Sequence, residues 1–524
     1  MLNFDAIIEL LKKQSSSLGF DGLRRGIEKE NLRVNKKGEL ATSSHPSALG
    51  SSLCHQEITT DFSESLVEVI TPPRAKPSQS LADLKSITAF VNHAIKDELL
   101  WPYSMPPEIQ TVEDIILAQY GVSNAAKLKT LYRKGLAYRY GKIMQIIAGI
   151  HYNISLPIPF LLALKQIEKS QEDDQTYISS CYMHLVRQFY AYYWILPYLF
   201  GTSPACMKTS LMHDVDFKLD ALDKQSVYAP FATSLRLSQL GYHNKHEDQL
   251  NISYESIDQY ARSLLKATQK SIPDYARIGV KGKEGYRQIS DAVLQIENEY
   301  YIPIRPKRVI KCGERSSSAL LTSGVEYIEI RAIDLNPLKP TGIGLKDMAF
   351  LEVFAVFCAI QPEFDQTRFK KYCNKSRENF IRVATRGRDP ALSLVHRGKE
   401  VPFYDHAKAL FKKLGVVARL MDSSINTPRY EKALKHQETK IEDVTETPSA
   451  MMLSKYNASG LTMTDFIMQL AQENNQALNK NELTPAQMEE FTAKAIRSIQ
   501  KQRMQEEKDT LSFDAYLANY FKDT

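Results

Sequence analysis

The stretch Arg25–Val34, RGIEKENLRV, decides how this chain is read. As a strand it turns alternate side chains to opposite faces. Glu28 and Glu30 then point the same way, roughly 7 Å apart, with Leu32 and Val34 continuing their face. Two carboxylates held side by side repel each other, and no sheet requires them. Something is expected to sit between them.

The pattern recurs. In ESLVEVITP (residues 64–72), Glu64, Leu66, Glu68 and Ile70 share a face, against Ser65, Val67 and Val69. In GIHYNISLP (149–157), His151, Asn153 and Ser155 lie opposite Tyr152, Ile154 and Leu156. In EYIEIRAID (326–334), Tyr327, Glu329 and Arg331 lie opposite Ile328, Ile330 and Ala332. A half-exposed antiparallel sheet produces such alternation with no function attached. Glu, however, is depleted in strands. Four polar faces pooled on one sheet would be destabilised by mutual repulsion unless cations fill the gap. Mg²⁺ and Mn²⁺ suit carboxylate oxygens and bridge to nucleotide phosphates, and Mn²⁺ also tolerates an imidazole. The face therefore reads as a metal–phosphate platform. Glu64 shares the face of Glu68 but receives no role from the sequence.

The rest of the chain bounds the possibilities. It has 524 residues, 43% apolar and 24% charged, the composition of an ordinary globular protein, with room for a deep cleft. A net charge of +6 is small for this length and does not suggest a nucleic-acid binder. The six cysteines (54, 181, 206, 312, 358 and 373) show no paired spacing, which argues against a zinc site or a disulfide framework and for thiols in a reducing cytosol. The N-terminal MLNFDAIIELLKKQ reads as an amphipathic helix burying Phe4, Ile7, Ile8 and Leu11 rather than as a signal peptide. The apolar run 348–360 is interrupted by Glu352 and falls short of the about 20 residues a membrane span takes, so it reads as a buried helix. A cytoplasmic location is expected.

Strands and helices follow in irregular order, which favours an α+β architecture over a parallel βαβ array. Strands are expected also over 294–308 and 324–337, and helices over 80–100 and 177–201. Beyond about residue 405 the chain reads as helical, with 436–450 as an exposed connection and Thr484–Pro485 as a helix start. The division expected is a catalytic α+β core over 1–405 and a helical region over 406–524 packed upon it. Neither a P-loop, a dinucleotide-binding glycine motif, a nucleophile elbow nor HExxH is present. The basic stretch with Arg305, Lys307, Arg308, Lys311 and Arg315 could neutralise phosphates or be a solvated turn.

Longer motifs carry a resemblance. RGIEKENLRVN, HPSALGSSLCHQEITTDFSESLVEVITP, WPYSMP, LAQYGVSN, KTLYRKGLAYRYG, GIHYNISLP, PFATSLRLSQLGY, LQIENEYYIPIRPKR and GVEYIEIRAIDLNP stand in this order between about residues 20 and 340. Together they resemble the proteobacterial type of glutamate–cysteine ligase. The resemblance implies a glutamine-synthetase-like fold, an antiparallel sheet curved into a funnel with helices outside. It implies ATP as co-substrate and two or more Mg²⁺ or Mn²⁺ ions. The implied reaction phosphorylates the γ-carboxylate of L-glutamate, which the amino group of L-cysteine then attacks to give γ-glutamylcysteine, ADP and phosphate, the first step of glutathione synthesis. By motif, Glu28, Asp61 and Glu68 are expected to ligate one metal, and Glu30, His151 and Glu329 another. Arg331 is expected to stabilise the reacting carboxylate and phosphoryl group, with Glu329 and Glu68 beside it in catalysis. Tyr132, Arg236, Tyr242 and Tyr301 are expected to line the cysteine subsite, and Phe62 and Leu136 its thiol pocket. Feedback by glutathione is implied as well. Two rivals keep the platform: a ligase using another amine, and a catalytically silent amino-acid or nucleotide sensor.

Overall fold

The computed structural model describes residues 2–211, 215–241, 244–246, 249–310, 314–363, 369–480 and 483–522. Seven strands form one sheet: β1 (Arg24–Val34), β2 (Ile58–Thr60), β3 (Leu66–Ile70), β4 (Leu99–Trp101), β5 (Ile150–Ser155), β6 (Ile304–Lys307) and β7 (Tyr327–Ile333). Their order is β6-β7-β5-β1-β3-β2, and every pairing is antiparallel. The 11 residues of β1 let it serve three partners, with β3 along one edge and β5 followed by β4 along the other.

Register decides what the sheet presents. Residues directly opposite in an antiparallel pair share a face. Glu28 pairs with His151, Glu30 with Glu68, Asn153 with Glu329, and Glu329 with Arg305. The four polar faces thus become one. The register of β7 against β5 shifts between Ile330 and Ile333, an irregularity that re-aims side chains locally and turns Arg331 toward His151.

The other face is the core. Ile27, Val67, Val69, Ile150, Tyr152, Ile154, Ile328 and Ile330 are all buried there. Covering and surrounding elements include α1 (Phe4–Lys12), α2 (Pro77–Ile95), α3 (Asn124–Tyr140), α4 (Asp174–Tyr192), α5 (Leu345–Ala359), α6 (Phe403–Ile425), α7 (Arg429–Glu442) and α8 (Pro485–Glu507). In α1, Phe4, Ile7, Ile8 and Leu11 are buried, as their spacing predicts. Helix α5 is buried almost throughout, with Glu352 in its middle paired to Arg25 of β1. Thr484 caps α8, its hydroxyl accepting from the Gln487 amide.

Several expected boundaries differ. Only Ile304–Lys307 of the stretch 294–308 is strand, because Glu297–Glu299 form a single 3₁₀ turn that turns the chain first. The expected helix at 80–100 begins at Pro77 and stops at Ile95, leaving Leu99–Trp101 to pair with β1. The segment 177–201 is two helices, broken after Tyr192. Residues 436–450 are not an exposed connection: Gln437, Lys440, Thr447 and Ser449 are buried, because α7 continues to Glu442 against α5. The described cysteines form no disulfide, and Cys312 lies outside the described residues. Among the described residues no helix is long and apolar enough to cross a membrane.

Candidate active site

His151 stands at the centre of the polar face. Its Nδ1 lies 3.1 Å from Glu28 Oε2 and 3.9 Å from Glu329 Oε1, and its Nε2 lies 3.5 Å from Glu30 Oε1. Glu28, Glu68 and His151 each offer one ligand atom within 4.8 Å of the others. The resemblance placed His151 with Glu30 and Glu329, apart from Glu28 and Glu68; here the ring lies between both sets, nearest Glu28. Asp61, on the turn after β2, carries a half-exposed carboxylate 3.7 Å from Arg133 Nη2.

Neighbours aim each carboxylate. Asn153 Nδ2 donates to Glu28 Oε1 at 2.8 Å, and the Gly149 amide donates to Glu30 Oε2 at 2.8 Å. Glu329 lies 3.7 Å from Lys307 Nζ and 3.3 Å from Arg331 Nη1. Its Oε2, the oxygen that faces Arg331 Nη1, is buried, and that contact lacks hydrogen-bond geometry. The Arg331 guanidinium lies over the Tyr301 ring, 5.2 Å from its centroid, which braces it from beneath.

The electrostatics follow from this crowding. Burial, then repulsion from Glu28, Asp61 and Glu30, pushes Glu68 well above the usual carboxylate range. Burial also raises Glu30, against the pull of His151. Burial opposes ionisation of Glu28, yet its hydrogen bond to His151 brings it below its ordinary value. Burial likewise opposes Glu329, but Lys307, Arg331 and His151 hold it well below. Burial works against the charge of Arg331, and Glu329 and Tyr301 more than restore it.

This donor set fits hard divalent cations. It has several carboxylates and one imidazole, and one carboxylate, Glu68, is raised by burial and by repulsion from its neighbours. A bound cation would relieve the repulsion that Lys307, Arg331 and His151 leave at Glu68.

The expected acceptor residues lie beside the cup. Arg236 donates to the carbonyls of Ile333 and Arg331, at 3.1 Å each, and lies 3.6 Å from Asp334. That spends two of its five N–H donors. Gly149 makes room for it: a Cβ there would fall 2.0 Å from Arg236 Nη2. Phe62 and Leu136 are buried, and Tyr132 is half-buried on α3. Tyr242 lies outside the described residues.

Other residues were not singled out from sequence. Lys129 and Arg133, one helical turn apart on α3, both rest against the Tyr120 ring. Burial, then Arg133, lowers Lys129 to about 8, although Glu68 and Asp61 oppose this. Their i, i+4 spacing in KTLYRKG was the available signal. Lys307 was only one of five basic candidates. Of the others, Arg308 holds the Gly324 carbonyl and Arg315 pairs with buried Glu297, while Lys311 lies outside the described residues. Glu64 proves structural: its carboxylate accepts the backbone N–H groups of His45 at 2.5 Å and Gln119 at 2.6 Å.

The profile of the glutamate–cysteine ligase family matches residues 8–383. The chain is 40% identical to glutamate–cysteine ligase of Alcanivorax borkumensis over 530 aligned positions, covering 100% of both chains. It is 40% identical to that of Pseudomonas entomophila, covering 98% of this chain and 97% of the relative. The crystal structure of glutamate–cysteine ligase from Francisella tularensis in complex with AMP superposes with a TM-score of 0.89 at 36% identity, covering 96% of this chain and 98% of that one. The family profile and these relatives mark the chain as a ligase, and the α+β fold with an acidic cup on an antiparallel sheet agrees with it. It belongs to the glutamate–cysteine ligase family.

Proposed function

We propose that this chain is an ATP-dependent carbon–nitrogen ligase joining the γ-carboxylate of L-glutamate to the α-amino group of L-cysteine. The observation that carries the reading is the convergence of Glu28, Glu68 and His151 beside the Glu329–Arg331 pair. A carboxylate is a poor electrophile, so its oxygen first takes the γ-phosphoryl group of ATP and ADP leaves. The amine nitrogen then attacks the acyl carbon, loses a proton, and phosphate departs with the C–O bonding pair.

Glu28, Asp61, Glu68, Glu30, His151 and Glu329 would hold two or more Mg²⁺ or Mn²⁺ ions, which when bound draw charge from the phosphate oxygens. Arg331, fixed between Glu329 and Tyr301, presents its charge where negative charge develops on the transferring group. Lys129 and Arg133 extend the positive rim beside Asp61 and suit the phosphates of the nucleotide. The unspent donors of Arg236, with Tyr242 and Tyr301, would grip the cysteine carboxylate in a fork. Phe62, Leu136 and Tyr132 would wall the thiol. Glutathione contains the γ-glutamylcysteine unit, so it fits the same subsites and would act as a feedback inhibitor. We place the reaction in the cytoplasm and read 406–524 as part of the same folding unit as the core.

The test is ADP release with ATP and Mg²⁺, omitting each amino acid in turn. ADP only when both are present, matched by γ-glutamylcysteine, supports the reading. ADP with glutamate but indifferent to cysteine moves the acceptor to another amine, and no ADP from folded protein overturns catalysis.

A further inference from the structure

A second site lies outside the acidic cup. A cavity of about 260 Å³ opens between the chain leading into β2 and the outer helix α8. Its lining includes His55, Glu57, Lys494, Arg497 and Lys501. The helical period brings 494, 497 and 501 to one side of α8. The walls are held close. The Ser51 amide donates to Ser498 Oγ at 2.9 Å, and Gly50, at φ +83, lies so near α8 that a Cβ would fall 2.9 Å from the Ala495 carbonyl oxygen.

The charges do not cancel. Glu57 and Glu490 each lie 2.9 Å from Lys494 Nζ and are spent on it. No carboxylate lies within ion-pair distance of Arg497 or Lys501 among the described residues, although Glu490 feels the charge of Arg497. A different kind of group points the same way. His55 is only 8% exposed, and its Nδ1 accepts the amides of Glu57 and Ile58, at 3.0 Å each. Burial, then Lys494, keeps the ring neutral, with its pKa at about 4. With Nδ1 accepting, the ring proton resides on Nε2. That N–H is buried and has no acceptor among the described residues. A buried donor left unpaired is costly, and an acceptor in the cavity would satisfy it.

We propose that this cavity binds the phosphate group of a small anion, with Arg497 and Lys501 supplying charge and His55 Nε2–H the buried hydrogen bond. A guanidinium, an ammonium and an imidazole lining one space suit a group with several charged oxygens. The volume corresponds to about nine waters at roughly 30 Å³ each, enough for phosphate or pyrophosphate. The site adjoins the catalytic sheet through β2, where Thr59 pairs with Glu68.

The test is thermal unfolding of the full chain and of the double variant Arg497→Gln, Lys501→Gln, both exposed positions, against inorganic phosphate, pyrophosphate and ADP at constant ionic strength. Circular dichroism verifies that the variant folds. Phosphate binding in the acidic cup is common to both proteins, so the difference between them reads this cavity. A saturable rise in Tm with phosphate, displaced about tenfold or more to higher concentration in the variant, supports the site. The same difference with pyrophosphate or ADP alone also supports it, and assigns the phosphate to a larger molecule. Equal responses in the two proteins, or none in either, overturn it.

Discussion

At the scale of single residues, His151 organises the cup, and its partners can be tested one at a time. Glu28 shares hydrogen bonds with His151 and Asn153, so Glu28→Gln keeps the size of the side chain and removes the charge. Wild-type protein is expected to gain thermal stability on adding Mg²⁺, by about 2.7 kcal/mol at a hundred times Kd. Glu28→Gln is expected to lose most of that gain together with ADP formation; a variant that keeps both contradicts the metal assignment. Arg331→Lys replaces a braced planar charge by a flexible point charge and should lower kcat by about 10²–10³-fold, read as ADP release at saturating substrates. The wall of Phe62 and Leu136 discriminates only modestly, by about 1–3 kcal/mol for a small change in such a pocket. Measurable turnover with 2-aminobutyrate in place of cysteine is therefore expected, and its complete absence would mean that the sulfur itself is read. Most of the cup was legible here: period-two alternation placed Glu28, Glu30, Glu68, His151 and Glu329 on the faces they occupy. The work of Glu64 was not legible, since its partners His45 and Gln119 come from other loops.

At the scale of elements, the catalytic strands are anchored from below. Arg25 of β1 and Tyr152 of β5 meet Glu352 of α5 at 2.8 Å and 2.9 Å, and Tyr430 of α7 closes the group at 3.0 Å. Arg25 also donates to the carbonyls of Arg74 and Ala75. Breaking one side of such a buried pair leaves a charge uncompensated, at a cost of about 3–5 kcal/mol. Glu352→Gln should lose that much in urea unfolding, whereas the double change Arg25→Met, Glu352→Leu should lose less. The sequence marked Glu352 only as an interruption in an apolar run. Its partner lies 327 residues away, a distance across which periodicity carries no information. The shortening of the strand expected over 294–308 has a similar cause. Its first residues are committed elsewhere: Glu297 to Arg315, and Glu299 to Arg139 and Tyr140.

At the scale of the molecule, α7 of the helical C-terminal region packs against α5 of the core. Asp347 of α5 pairs with Lys339 and accepts from Gln437 of α7 at 3.1 Å. Burial opposes its ionisation, but Lys339 and Lys440 hold it at about 2. Its folded pKa lies below the unfolded value, so its stabilisation is complete above about pH 4 and is lost as pH falls toward 2. The difference corresponds to about 2 kcal/mol. Asp347→Asn should therefore be less stable than wild type by about that amount in urea at pH 7, and the gap should close at the acid end. Burial lowers Lys440 to about 7 even though Asp347 faces it. Between pH 7 and about 10 the unfolded chain thus binds more protons at this lysine than the folded one, and its contribution to stability rises with pH.

While the antiparallel sheet and Asp61 came from the family resemblance, the sequence by itself determined the strand faces, the α+β character and the carboxylates carried on those faces. These follow from alternation along single strands and from the chemistry that gathered carboxylates demand, both local properties. The tertiary structure alone decided that β1 stands between β3 and β5, that His151 lies between both sets of carboxylates, and that Lys307 and Asn153 join them. It also decided that Arg25 finds Glu352, and that α8 closes a basic cavity over His55. Those outcomes depend on which distant elements touch, and burial and charge pairing select them only once the chain has closed on itself.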